Sequence, residues 1–299
     1  MNPLKLISFT ITAVVLQACA VDKSGQPFSF PSNQLAPAPA ATGGGGSSRA
    51  IQILSSATFN STSNSPVAVG NLVYDGTRLL VIDTSGGWPI SGTTTFDYFS
   101  TSLVFQAHST STFTGNVNFT ATSAGPVAGQ TALYYNNSSP YLAVRDDSSG
   151  SVLSTTSINF STYGCNGSTG APLTFCNSLY YGACTTGGGF MRLFSFNAAG
   201  ALQSAVTTTT SDPTADAQGL TCYDNNSLLL ALNATFYKYD LNFNLLATDA
   251  TSSASFPSGL QSPVGIATDG TNLYLQGALN NSANPPTFML GIATLGILK

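Results

Sequence analysis

The chain has 299 residues, only 7% of them charged, and a formal net charge of −4. That balance excludes a nucleic-acid binder, because no basic patch is available to neutralise phosphates. All twelve acidic residues are Asp and none is Glu, so the usual composition of exposed helix faces is missing. Thr, Val, Phe and Tyr beside Gly and Asn predict strands joined by tight turns.

The chain opens MNPLKLISFTITAVVLQACA. Lys5 precedes an apolar run from Leu6 to Leu16 that is too short to span a bilayer as a helix. It reads as a secretion signal, to be set aside from the fold. Leu16-Gln17-Ala18-Cys19 resembles the bacterial lipobox, with Gln17 departing from the small residue preferred there. The resemblance implies lipidation of Cys19, a signal peptide over residues 1–18, and attachment to the bacterial envelope. The outer membrane is the expected site, on its periplasmic side or at the cell surface. Cleavage after Ala20 by an ordinary signal peptidase fits Ala18-Cys19-Ala20 as well. Residues 19–50 form a lipidated N-terminus and a Pro/Ala/Gly/Ser tether. As a coil, residues 20–50 span about 30 Å.

From Ile51 to Lys299 a strand–turn–strand pattern recurs. Five segments carry it, at 67–83, 127–146, 172–184, 217–232 and 263–279. In each, an apolar run leads to Asp or Asn with Gly, Asn or Ser, and a second run follows. Asn, Asp and Gly tolerate the positive φ of tight hairpins. Asp75, Asn136, Asn177, Asp224 and Asp269 therefore read as turn residues, not as chemistry. They lie 61, 41, 47 and 45 residues apart. A period in the forties, with two further strands after each hairpin, predicts an all-β propeller of four-stranded blades. Five blades are expected. The long first interval holds TSLVFQAHSTSTFTGNVNFTAT, an insertion or half of a sixth blade. Ile51–Phe59 is placed to complete the last blade and so close the ring. A β-sandwich does not explain the period, and a β-helix would want shorter rungs.

Pro263, Gly265, Ile266, Ala267, Asp269, Gly270, Leu273, Tyr274 and Leu275 resemble the NHL-type propeller repeat. The likeness is specific in this unit and loose in the others. It implies a fold class and no activity. Enzymes resembling that family set His or acidic ligands around a central metal, and a chain with one His and no Glu carries none of this over.

Trp88, the only tryptophan, lies in the Gly/Pro-rich SGGWPISG and suits either a partner anchor or packing on the first blade. His108, the only histidine, lies in VFQAHSTST without a G-x-S-x-G motif or an oriented partner. Both are carried as possible binding residues. Asp146-Asp147 before SSGS reads as a polar turn, since a calcium loop needs more oxygens at set spacing. TGGGGSS and TTGGGF lack the Gly-Lys-Ser/Thr of a phosphate loop.

With Cys19 lipidated, Cys165, Cys176, Cys184 and Cys222 remain, an even number in an exported chain. Two disulfides follow. Repeat alignment favours 165–184 with 176–222 over 165–176 with 184–222. No metal and no cofactor is expected. The functional expectation is a non-enzymatic envelope lipoprotein that binds a protein or glycan through a propeller face. The alternative is a hydrolase or lyase using Asp residues near the central channel.

Overall fold

Twenty strands make five separate four-stranded antiparallel sheets in a computed structural model of the chain. The structure describes residues 51–62, 66–85, 92–113, 119–135, 139–166, 172–186, 190–211, 219–232, 235–250, 256–261 and 263–295. Blade 1 is β2 (Pro66–Tyr74), β3 (Leu79–Ser85), β4 (Gly92–Phe99) and β5 (Phe105–Phe113). Blade 2 is β6 (Phe119–Ala124), β7 (Gln130–Tyr135), β8 (Tyr141–Asp146) and β9 (Val152–Ser157). Blade 3 is β10 (Leu173–Cys176), β11 (Leu179–Thr185), β12 (Phe190–Phe196) and β13 (Leu202–Ser211). Blade 4 is β14 (Gly219–Cys222), β15 (Ser227–Leu232), β16 (Thr235–Asp240) and β17 (Leu245–Ala250). Blade 5 takes β18 (Gly265–Thr268), β19 (Leu273–Gln276) and β20 (Thr287–Ala293) from the C-terminal end, and β1 (Ile53–Asn60) from the N-terminal end.

The fold is a five-blade propeller. The long first interval holds no sixth blade: its strand-like residues become β5, the outer strand of blade 1, and β6, the inner strand of blade 2.

Burial falls from the inner strands outward, and the composition follows. Every residue of β18 and β19 is buried, as is every residue of β15. These strands are pressed on both faces by neighbouring blades, so they read as continuous apolar runs. In β9, VLSTTS, no residue is buried, and hydroxyls meet water there. The inner strands approach backbone to backbone. A Cβ on Gly265 would stand 2.5 Å from the Leu72 nitrogen on the inner strand of blade 1. Only glycine fits such an approach.

The recurrent acids are turn residues by geometry. Asp269 accepts the Thr271 and Asn272 amides at 2.8 and 2.7 Å, and Asp75 accepts those of Thr77 and Arg78, each at 2.8 Å. Asn177 and Ser178 both have positive φ, at 46° and 67°. That makes β10–β11 a two-residue hairpin of the kind matched to strand twist. Asn136 lies outside the described residues.

The cysteines pair as Cys165–Cys184 and Cys176–Cys222. The second bond joins the inner strands of blades 3 and 4. Beside it the Cys222 amide donates to the Thr174 hydroxyl at 2.9 Å. Two disulfides suggest a non-cytoplasmic protein. Among the described residues no helix is long and apolar enough to cross a membrane.

Three outcomes are expected in thermal or urea melts. Gly270 has φ +84°, so Gly270→Val should cost about 1–3 kcal/mol through backbone strain. Asp269→Asn should cost about 1–2 kcal/mol, because the Tyr274 hydroxyl loses its carboxylate acceptor. That second hydrogen bond, 2.6 Å long, is invisible in a turn pattern. Replacing both Cys176 and Cys222 by Ser, with a sequence separation of 46, should cost about 4 kcal/mol by loop entropy.

Candidate functional site

The densest group of buried charge lies where blades 1 and 2 meet. Strand alternation in β8 turns Ala143 and Arg145 toward blade 1, and Asp147 follows just past its end. Arg145 is 1% exposed, a rare state for an unpaired charge. Its guanidinium carbon sits 3.7 Å over the Phe96 ring of β4. Its Nη2 donates to Ser109 Oγ at 2.7 Å and to the Tyr98 hydroxyl at 3.3 Å. Nε and Nη1 meet no hydrogen-bond acceptor. Gly150, in the turn between β8 and β9, covers the group: a Cβ there would lie 3.7 Å from Nη2.

Asp147 is 3% exposed. Its Oδ2 accepts the Thr131 hydroxyl at 2.8 Å, and Oδ1 has no donor. Its backbone carbonyl accepts the Tyr98 hydroxyl at 3.1 Å, across the seam. Burial pushes the carboxyl up to about 6, against the opposing pull of the Thr131 hydrogen bond and the Arg145 charge. Asp146, its neighbour, behaves in the opposite way. It accepts from the hydroxyls and amides of Ser148 and Ser149, and these bonds hold it down at about 2. The dipeptide is thus one turn residue and one buried acid. The expectation of a polar turn holds for Asp146 alone.

Blade 1 completes the group. The Asp75 carboxylate, buried, accepts from Arg78 Nε at 3.2 Å, and the Arg78 guanidinium lies 3.9 Å over the Tyr98 ring. The Gly129 amide of blade 2 donates to the Asp75 carbonyl at 3.0 Å.

A second polar point lies between blades 5 and 1. Gln276, at the end of β19, is fully buried, and neither amide atom is hydrogen-bonded. Its Oε1 would lie 3.1 Å from a Cβ at Gly265, so the glycine makes room for the amide.

Of the two possible binding residues read from the sequence, His108 lies among the described residues. His108 is exposed on β5, directly opposite Asp97 of β4. Asp97 is fully buried and accepts the Thr62 hydroxyl at 2.8 and 2.9 Å. Trp88 and Cys19 lie outside the described residues. Among the described residues no three His, Cys, Asp or Glu side chains are grouped to hold a metal. Arg145 and Gln276 pass unnoticed in the sequence, and Asp147 reads there as a turn residue. A charged residue alternating with apolar ones in YLAVRD was the one available signal.

No family model matches the chain. No curated protein matches it either. Among solved structures it is similar to a glutaminyl cyclase from Myxococcus xanthus, at 13% identity and a TM-score of 0.50, over 82% of this chain and 97% of that one. It is also similar, at 14% identity and a TM-score of 0.38 over 70% of each chain, to a protein of unknown function from Bacteroides caccae. The first likeness is one of fold. It nevertheless corrects the expectation that this chain is not an enzyme. A propeller of this kind carries an enzyme, so the lack of a catalytic motif in the sequence does not exclude activity.

Arg145 favours the ionised form of Asp147. Arg145→Met should therefore move the Asp147 titration above about 6, read by carboxyl NMR on the folded variant.

Proposed function

We propose that the chain is an exported, envelope-anchored propeller that takes a protein partner on the face bearing the hairpin turns. The observation that carries this reading is a belt of exposed apolar side chains. Val104 precedes β5, Val152 and Leu153 open β9, Leu202 opens β13, Leu245 and Leu246 open β17, and Leu54 lies near the start of β1. Each outer strand starts where the third strand of its blade stops, so the belt marks one end of the ring. Apolar groups that recur in this way on a surface favour a macromolecular contact. Aliphatic groups suit a protein more than a glycan, whose sugars stack best on aromatic rings. The anchor is the lipidated Cys19, with residues 20–50 as the leash.

Leu153→Lys with Leu246→Lys should abolish capture of an envelope protein by the immobilised domain and leave its melting temperature within a few degrees. Unchanged capture, or binding confined to a glycan array, would sink the reading. Cys19→Ala should move the protein from the membrane to the soluble fraction.

A second reading is catalysis on the same fold. Asp147 favours it, as a buried carboxyl held near 6 beside Arg145, because acid–base groups work best near ambient pH. The glutaminyl cyclase likeness makes cyclisation of a glutaminyl peptide the first assay to run. Turnover that disappears in Asp147→Asn, on a folded protein, would favour this reading over the first.

A further inference from the structure

We propose that the seam between blades 1 and 2 is a proton-operated latch, with Asp147 as its titrating group and the Ser148–Gly150 turn as its moving cover. The proposal depends on neither functional reading above, since it concerns the opening of the seam and not what binds or reacts there.

Among the described residues four polar links cross the seam, one of them the bond from Arg145 Nη2 to the Tyr98 hydroxyl. The Tyr98 hydroxyl donates to the Asp147 carbonyl, Arg145 Nη2 donates to Ser109 Oγ, and the Gly129 amide donates to the Asp75 carbonyl. The Asp147 amide ties this set together by donating to the Gly129 carbonyl at 2.9 Å. Carboxyl and turn are thus tied to the residue whose amide bridges to blade 1.

Among the described residues, groups from four elements face Asp147. From β7 comes the Thr131 hydroxyl, and from β8 comes Arg145. From β4 comes the Tyr98 ring, with Ser109 of β5 behind it. From the turn between β2 and β3 come Asp75 and Arg78. The two cations are engaged elsewhere: Arg78 Nε is on Asp75, and Arg145 Nη2 is on Ser109 and Tyr98. An ionised Asp147 thus sits in a buried seam with one oxygen undonated and a second carboxylate nearby. A buried carboxylate so little donated is costly even with two cations in electrostatic reach, and admitting water relieves the cost.

The protonated acid has no such difficulty. The folded carboxyl titrates at about 6, above the ordinary 3.8. Protonation therefore favours the closed seam. The stabilisation is complete below about pH 4 and is lost as pH rises through about 6. Above that midpoint the cover lifts more often. Lifting exposes Arg145, whose Nε and Nη1 have no partner in the closed state.

The test is amide hydrogen exchange on the whole folded chain between pH 4.5 and 8, corrected for intrinsic exchange. The reporter is the Gly129 amide, and the Tyr223 amide of blade 4 is the control. The Gly129 opening constant should rise relative to the control by up to about 30-fold over this range. Asp147→Asn should lock it at the acid value. Thr131→Val, which removes a bond to the carboxylate, should keep the transition and shift its midpoint to higher pH. Asp146→Asn should change nothing. A pH-independent Gly129 amide in the wild type overturns the proposal, as does a transition that survives in Asp147→Asn. If Asp147→Asn fails to fold, an unmoved midpoint in Thr131→Val does the same.

Discussion

The structure depends on one pairing, that of its first strand with its last. β1 and β20 lie antiparallel from Ile53↔Ala293 to Asn60↔Thr287. Without that ladder, blade 5 would lack its outer strand and β20 would present an open edge, a template for aggregation. Neighbouring contacts fasten the join. The Ile51 amide, buried, donates to Asp249 of blade 4 at 2.9 Å, and the Thr294 amide donates to the Gln52 carbonyl at 2.8 Å. The ladder links residues more than 200 positions apart, so ring closure belongs to the slow, non-local part of folding. Asp249 carries weight here that its place near the end of an outer strand does not advertise.

The fold was legible because its repeating element is a local one. A hairpin turn needs positive φ or an Asx hydrogen bond, and only a few residue types supply either. Asp75, Asp224 and Asp269 therefore mark blades in the bare sequence. The outer strands were legible for the opposite reason: Ser and Thr in β9 and β13 announce contact with water. Blade number was harder. β7 ends at Tyr135, so Asn136 follows the second strand of blade 2 in the chain, whereas Asp75, Asn177, Asp224 and Asp269 follow the inner strands of their blades; the first interval was therefore one strand too long and suggested a further half-blade.

The polar seam was not legible, and the cause is physical. Asp146 and Asp147 are adjacent, identical and followed by the same serines, yet strand alternation sends one outward and the other inward. Which of the two goes inward is decided by Phe96, Tyr98 and Ser109, more than thirty residues earlier in the chain. Gln276 is a similar case, since its burial follows from a glycine on the neighbouring strand and a close approach by blade 1. Chemistry placed between blades is a property of pairs of repeats, and a pattern read one repeat at a time does not contain it. The same reasoning weakens any exclusion of enzyme activity from missing motifs.

The Cys176–Cys222 bond joins two inner strands, and it changes how the ring can deform. A closed ring of five equal wedges shares any strain among five joints. Weld one joint near the axis and the share falls on the other four. Blades 3 and 4 then behave as a single double-width wedge, the stiff sector of the ring. Breathing that admits a solvent molecule or a side chain is biased toward the other joints, and among the described residues the joint richest in unsatisfied polar atoms lies on the far side of blade 2. The covalent bond thus acts at a distance, as a bias on where the circle gives way.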